Sequence, residues 1–199
     1  MAEFVEGFEF LSSLHREVTF FGSARALPDH PYYKFARELG SRLAKEGFTI
    51  ITGGGPGIME AGNRGAFEAG GESVGLDIVL PMEQRRNQYV KKSKGFHYFF
   101  TRKVMLSASA QAYVFFPGGF GTLDELFEVV TLIQTGKMSD LVPVILVGKD
   151  YWTGMLEWIK KTMLEKNRFI EPFEMDIMHL VDTVDDAVKL ISKTPERLL

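Results

Sequence analysis

The sequence predicts an α/β protein with a Rossmann-like, three-layer architecture. Short runs rich in β-branched and aromatic residues alternate with longer segments of helical period along the 199-residue chain. In PYYKFARELGSRLAKEG, for example, Phe35, Leu39 and Leu43 fall on one helical face. Because such alternation is typical of βαβ units, we expect a mostly parallel sheet of about seven strands with helices on both faces.

Seven short runs carry the strand pattern. They are residues 18–22, 48–52, 73–78, 96–100, 113–116, 143–147 and, roughly, 178–181. The aromatic run at 96–100 alternates too poorly for a half-exposed strand, so it is interpreted as a buried central strand. No linker, low-complexity stretch or internal repeat divides the chain, and we expect residues 1–199 to form a single domain.

Composition and charge exclude several kinds of site. The formal net charge is −3 and the pI is near 5.9, so we expect no nucleic-acid or membrane partner. The absence of cysteine excludes disulfides, cysteine-based zinc sites and thiol nucleophiles. The histidines lack ligand spacing, so we expect no metal site; they are His15, His30, His97 and His179. MAEFVEGFEF has no basic segment ahead of an apolar one, and we expect a soluble, cytoplasmic protein.

Three turns that follow predicted strands have the form of anion sites. They are FGSAR at 21–25, TGGGPGIMEAG at 52–62 and PGGFGT at 117–122. Strand-to-helix turns of a parallel sheet meet at its carboxyl edge, where open α/β folds bind ligands. Glycine allows close approach of the backbone, and the helix that follows presents free N–H groups.

Neither common phosphate-binding fingerprint is satisfied. Gly118 onward lacks the Gly-Lys-Ser/Thr of a P-loop. The dinucleotide pattern G-x-G-x-x-G fails because Ile58 and Glu60 stand where its third glycine belongs. Asp77 lies near the end of the next predicted strand, where an NAD site has its ribose-binding acid, and it keeps that alternative open.

Glu125 has two interpretations. Residues 122–125 read T-x-x-E, a capping box in which Glu125 would serve only the start of its helix. Alternatively, the preceding glycines hold a phosphate and Glu125 takes part in chemistry. Arg102 and Lys103 favour the second interpretation, because their predicted helix starts at the same sheet edge and cations gain nothing from a helix N-terminus.

PGGFGTLDE at 117–125 resembles the P-G-G-x-G-T-x-x-E signature of the LOG (Lonely Guy) family, whose members are also labelled possible lysine decarboxylases. The resemblance extends to Arg102-Lys103, to GGGPGIMEA at 53–61 and to FGSAR, and it covers about Val18 to about Asp182. It implies a nucleotide-binding domain and a phosphoribohydrolase. Such an enzyme cleaves the N-glycosidic bond of nucleoside 5′-monophosphates, with AMP and cytokinin nucleotides as substrates.

The resemblance also implies roles for individual residues. Arg102 and Glu125 match the catalytic pair. The substrate-binding positions are Ser23, Gly53, Gly54, Gly55, Gly57, Glu83, Lys103, Gly118, Gly119, Gly121, Thr122, Asp124 and Thr131. The family implies no cofactor, and its members form homodimers that sometimes assemble further.

The chemistry suits these residue types. Glycoside cleavage passes through a positively charged ribosyl centre, which a carboxylate such as Glu125 can stabilise while it orients or deprotonates water. The N–H groups of 118–122 would hold the 5′-phosphate. Two alternatives remain: a nucleotide-binding or carrier protein without turnover, and a pyridoxal-dependent decarboxylase, for which no Schiff-base lysine arrangement can be read.

Overall fold

The computed structural model describes residues 1–79 and 86–197, and strands alternate with helices through these ranges. The strands are β1 Glu17–Phe21, β2 Thr49–Thr52, β3 Ser73–Ile78, β4 Lys92–Phe96, β5 Ala112–Phe115, β6 Val144–Val147 and β7 Met178–Val181. The helices are α1 Ala2–Ser12, α2 Pro31–Lys45, α3 Ile58–Glu68, α4 Phe99–Ser107, α5 Phe120–Gln134, α6 Lys149–Trp158 and α7 Val184–Ile191. A π-helical segment, Ile159–Lys166, continues α6, and a 3₁₀ helix, Pro172–Ile177, precedes β7.

The strands form one seven-stranded sheet in the order β4-β3-β2-β1-β5-β6-β7. All six neighbouring pairs are parallel, with registers such as Val18 opposite Ile50 and Thr19 opposite Tyr113. The predicted Rossmann-like α/β fold is therefore confirmed. Among the described residues, no helix combines the length and the apolar character needed to cross a membrane.

Alternate residues of the strands pack into two separate cores, one on each face of the sheet. On one face Phe20 and Val114 pack with Leu39 of α2 and side chains of α3 and α7. On the other face Phe115 packs with Leu126 of α5 and side chains of α1, α4 and α6. Successive strand residues point to opposite faces, which explains why the central strands are apolar at nearly every position.

The interpretation of residues 96–100 as a buried central strand is wrong. The strand at this place is β4, Lys92–Phe96, which lies at the edge of the sheet. Phe96 is buried at its end, whereas Tyr98, Phe99 and Phe100 are each 60 to 65% exposed around the start of α4. Lysine-rich edge strands discourage pairing with other sheets, and they carry a weak apolar signal. The strand was therefore predicted at the aromatic run, which has a high strand propensity.

Candidate functional site

A cleft of about 960 Å³ opens at the carboxyl edge of the sheet, around the end of β1. Its walls come from the loop after β1, the glycine loop after β2, the start of α4, the turn after β5 and the start of α6. β1 lies between β2 and β5, and the helices that follow β1 and β5 pack on opposite faces. The cleft thus lies at the topological switch point, where open α/β sheets bind ligands.

The turn after β5 leads directly into α5 and forms one wall of the cleft. Gly119 is the residue before the first turn of α5, and Gly118, Gly119 and Gly121 all line the cleft. A β-carbon on Gly119 or Gly121 would meet no atom within 4 Å, so both positions face open space. On Gly118, by contrast, a β-carbon would collide with the hydroxyl of Thr122. The first N–H groups of the helix therefore stand beside free volume, as an anion site requires.

The capping-box interpretation of Glu125 is wrong. α5 begins at Phe120 with Gly119 before it, so Thr122 lies inside the helix and not at its cap. The N–H of Thr122 donates to the Gly119 carbonyl at 3.0 Å, and no side chain of the described residues caps this helix. Glu125 is consequently free of the role that T-x-x-E would give it.

Glu125 lies one turn further along α5 and lines the cleft. Its Oε2 atom is buried and has no hydrogen-bond partner among the described residues. Burial raises the pKa of the Glu125 carboxyl to about 7, although Lys103 and Arg102 pull the pKa down. A carboxyl with this pKa exchanges its proton near neutral pH, as a general acid or base must.

Arg102 extends from the first turn of α4 into the same cleft. Its Nε donates to the carbonyl of Leu76 at 2.7 Å, which fixes the guanidinium beneath the glycine loop. Burial lowers the pKa of Arg102, while the charges of Glu125 and Asp77 act in the opposite direction. Because arginine keeps its proton even when buried, Arg102 is a fixed positive charge next to the Glu125 carboxylate.

The glycine loop after β2 approaches these side chains through positions that have no room for a side chain. A β-carbon on Gly53 would overlap the Arg102 guanidinium, and one on Gly54 would overlap the Asp77 carboxylate. Gly57 has φ of 70° and packs on the backbone of Ser23. Of the predicted loop glycines, only Gly53 is among the described residues that line the cleft. Gly54, Gly55 and Gly57 give the loop its shape.

Buried amides hold this loop from behind. The Asn87 Nδ2 group donates to the carbonyls of Gly54 and Gly55 at 3.1 and 3.0 Å, and to Asn63 Oδ1 at 3.0 Å. Thr52 donates to the same Asn63 oxygen at 2.6 Å and accepts from the Gly54 N–H at 2.9 Å. Sequence reasoning missed this network, whose members lie up to 35 residues apart along the chain, since it runs from Thr52 to Asn87.

Apart from Gly54, Gly55 and Gly57, which line neither hollow, the described site residues fall into two groups. Ser23, Gly53, Arg102, Gly118, Gly119, Gly121, Thr122, Asp124 and Glu125 are brought together in the cleft. Lys103 and Thr131 lie instead in a second hollow of about 510 Å³ on the outer side of α4 and α5, which Asp124 also lines. There Lys103 forms ion pairs with Asp124 at 2.7 Å and Glu128 at 3.2 Å. Glu83 lies outside the described residues.

Asp77 does not lie where an NAD site would need it. It is not among the described residues that line the cleft, and its Oδ2 pairs with Arg86 Nε at 2.5 Å behind the glycine loop. Burial raises the pKa of Asp77, opposed by the charges of Arg86 and Arg102. The dinucleotide alternative therefore loses the residue that supported it.

The structure adds cleft residues to which sequence reasoning assigned no individual binding role. Tyr151 at the start of α6 donates its hydroxyl to the Gly118 carbonyl at 2.5 Å, which ties the turn after β5 to α6. Arg25, His30 and Tyr32 line the end of the cleft nearest α2. The tyrosines carried no signal in the sequence, because the starts of α2 and α6, where they lie, are recognisable as parts of the wall only once the strand order is known.

The fold and the cleft define a Rossmann-like α/β protein with an anion-suited site at the switch point of its sheet. Within that class, the chain belongs to the LOG family. The family model described as "Possible lysine decarboxylase" matches residues 59–191.

Relatives with curated names share most of the chain. The probable cytokinin riboside 5′-monophosphate phosphoribohydrolase LOGL6 of Oryza sativa subsp. japonica is 29% identical over 93% of this chain and 74% of its own length. Cytokinin riboside 5′-monophosphate phosphoribohydrolase LOG3 of Arabidopsis thaliana is 28% identical, with 92% and 84% covered. The Mycobacterium marinum enzyme of the same name is 29% identical, with 82% and 88% covered.

Solved structures share the fold. The X-ray structure of TM1055 has a TM-score of 0.66 and 25% identity, covering 89% of this chain and 99% of that one. The molybdenum cofactor carrier protein of Chlamydomonas reinhardtii has a TM-score of 0.63 and 22% identity, covering 89% and 98%. Proteins named as enzymes and proteins named as carriers are thus both similar to this chain.

Proposed function

We propose that the protein is a nucleoside 5′-monophosphate phosphoribohydrolase. It hydrolyses the N-glycosidic bond of AMP or of cytokinin riboside monophosphates to the free base and ribose 5-phosphate. The observation that carries the proposal is the Glu125 carboxyl, which is buried in the cleft with an unpartnered oxygen and a pKa raised to about 7. It lies beside Arg102 and one helical turn from residues 118–121, the glycine turn after β5.

The proposed reaction follows from the order of these groups along the cleft. The 5′-phosphate occupies the free space at Gly119 and Gly121, where helix N–H groups and the positive end of the helix dipole stabilise it. This places the ribose against Glu125. As the bond between C1′ and the base nitrogen breaks, positive charge develops on the ribosyl carbon, and the carboxylate stabilises that charge.

Water completes the reaction. Its oxygen bonds to C1′ while Glu125 accepts or orients its proton, and the departing base takes up a proton as it leaves. Arg102, fixed by its hydrogen bond to Leu76, keeps a positive charge beside Glu125. That charge holds a share of the carboxyl groups ionised near neutral pH in spite of their burial.

Two further observations support hydrolysis over decarboxylation. The curated relatives carry phosphoribohydrolase names. A pyridoxal-dependent decarboxylase needs a lysine for its Schiff base, and none is found among the described residues that line the cleft.

We also propose that two copies associate through the outer surface of α4 and α5, as a homodimer or within a higher homo-oligomer. Phe120 at the mouth of the cleft is 92% exposed. Phe99, which lines the cleft with it, and Phe127, which lines the second hollow with it, are exposed as well. Tyr98 and Phe100, the neighbours of Phe99 in the chain, are exposed too. An apolar surface of this kind is unusual on a monomer and is typical of an interface. Light scattering during gel filtration tests the association. We assign residues 1–199 to one nucleotide-binding domain that acts in the cytoplasm.

Chromatography of reactions with AMP, other nucleoside 5′-monophosphates, adenosine and ATP tests the proposed activity. Free base released from monophosphates and not from adenosine is the expected result. Tight binding of AMP with no release of base would instead identify a nucleotide-binding or carrier protein of the same fold. A Glu125→Gln variant that is folded and inactive would attribute the release to this site.

A further inference from the structure

A dianionic phosphate in the cleft needs a positive partner. Helix N–H groups offer partial charges, and arginine supplies the full charge and paired donors that suit phosphate oxygens. The phosphate contact therefore requires a cation near the glycine turn.

Both residues of the Arg102-Lys103 pair lie in the field of protein carboxylates. Arg102 is half-buried, donates its Nε to the Leu76 carbonyl, and lies near the charges of Glu125 and Asp77 without an ion pair to either. Lys103 is held by two carboxylates in the second hollow, outside the cleft. Lys103 is therefore held by ion pairs outside the cleft, and the charge of Arg102 is opposed by the two acids near it.

Arg25 is placed differently. It is exposed, it lines the cleft, and no described carboxylate forms an ion pair with it. Its N–H donates to Ser23 Oγ at 3.1 Å, which closes a tight turn after β1. The N–H of Ser23 in turn donates to the Pro117 carbonyl at 3.0 Å, so the Arg25 loop is fastened to the glycine turn.

The balance of charges around the cleft also indicates that Arg25 is the available cation. The acidic and basic side chains of its described lining are Arg25, His30, Arg102, Asp124 and Glu125. Arg102 offsets Glu125, and Asp124 is paired with Lys103. Arg25 is then the positive charge that no described acid balances.

We infer that Arg25 is a specificity-determining residue that binds the 5′-phosphate of the substrate across from the glycine turn, and so distinguishes nucleoside monophosphates from nucleosides. The inference rests on the proposed function for the position of the phosphate. It assigns to the FGSAR turn a role in recognising charge, beyond the backbone contacts of Ser23.

Direct binding to the full-length protein tests this role apart from catalysis. Titration calorimetry with ribose 5-phosphate, AMP and adenosine would compare the wild type with Arg25→Gln, Arg25→Lys and Lys34→Gln. Lys34 is an exposed cation of α2 that does not line the cleft, so Lys34→Gln controls for a general change of charge. Melting curves would establish that each variant is folded.

We expect Arg25→Gln to weaken binding of ribose 5-phosphate and AMP by about 10- to 100-fold, the range for loss of a charge-assisted contact. Adenosine binding should change little, and Arg25→Lys should recover part of the loss. The inference would be overturned if Arg25→Gln bound ribose 5-phosphate and AMP within about twofold of the wild-type affinity. It would also be overturned if the variant lost as much affinity for adenosine as for AMP. Phosphate binding that depends on Arg25 without release of base would support it while refuting the proposed hydrolase.

Discussion

Replacing Glu125 with glutamine should make the protein more stable and inactive at the same time. The carboxyl has its pKa raised by burial from an ordinary 4.5 to about 7. Each pKa unit corresponds to about 1.4 kcal/mol, so the buried carboxylate costs the folded state roughly 3 kcal/mol once it is ionised. Glutamine keeps the shape of the side chain and removes the charge.

The effect of Glu125→Gln should depend on pH in a defined direction. Because the pKa is raised in the folded state, the unfolded chain loses its proton first as the pH rises above 4.5. The penalty on the folded state therefore grows between 4.5 and about 7 and is constant above that range. We expect the variant to gain up to about 3 kcal/mol over wild type at about pH 8, and almost nothing at about pH 4.5.

Urea denaturation at several pH values measures this difference, and base release from AMP measures activity. The expected loss of kcat is about 10²- to 10⁴-fold, the range for removal of a general acid or base. Glu157→Gln on the exposed face of α6 is the matched control, and it should change neither property. If Glu125→Gln unfolds more easily at about pH 8 and keeps its activity, the carboxyl serves the helix and the reasoning fails.

Three more outcomes follow from the geometry of the cleft. The kcat/KM for AMP should rise with pH and level off with a midpoint near 7, since only ionised Glu125 stabilises a ribosyl cation; a midpoint near 4.5 would contradict this. Lys103→Met removes a cation that lowers the Glu125 pKa, so the same profile should move to higher pH; an unchanged profile would count against the coupling. Gly53→Ala places a β-carbon on the Arg102 guanidinium and should lower kcat by up to about 100-fold with native circular dichroism; full activity would show that Arg102 can move without loss.

The fold was predictable because its signals are local. Apolar runs as long as a strand, separated by amphipathic segments, determine the class. The boundaries of β1, β2, β5 and β6 differ from the predicted ones by one residue. β4 was misplaced because an exposed aromatic run competed with a lysine-rich edge strand. Sequence propensity cannot distinguish an aromatic residue that packs in a core from one that faces outward.

The candidate site was predictable where neighbouring residues encode it. The glycine turn and Glu125 lie in one stretch, and Arg102 could be placed by counting the length of one helix and one strand. Lys103 could not be placed by the same count, because adjacent residues on a helix point about 100° apart and its side chain turns toward Asp124. Arg25 and the Asn87 network needed the strand order, which brings distant loops together.

The walls of the cleft belong to both cores of the protein. Arg25 and Tyr32 belong to the loop and helix that pack on one face, whereas Arg102 and Glu125 project from helices that pack on the other. A molecule held between them clamps two separately packed layers, so it must raise the melting temperature of the whole fold. A ligand present at a free concentration of 100 times its Kd adds about 2.7 kcal/mol to the free energy of unfolding. Thermal-shift screening of a nucleotide library can therefore rank ligands for this cleft before any reaction product has been identified.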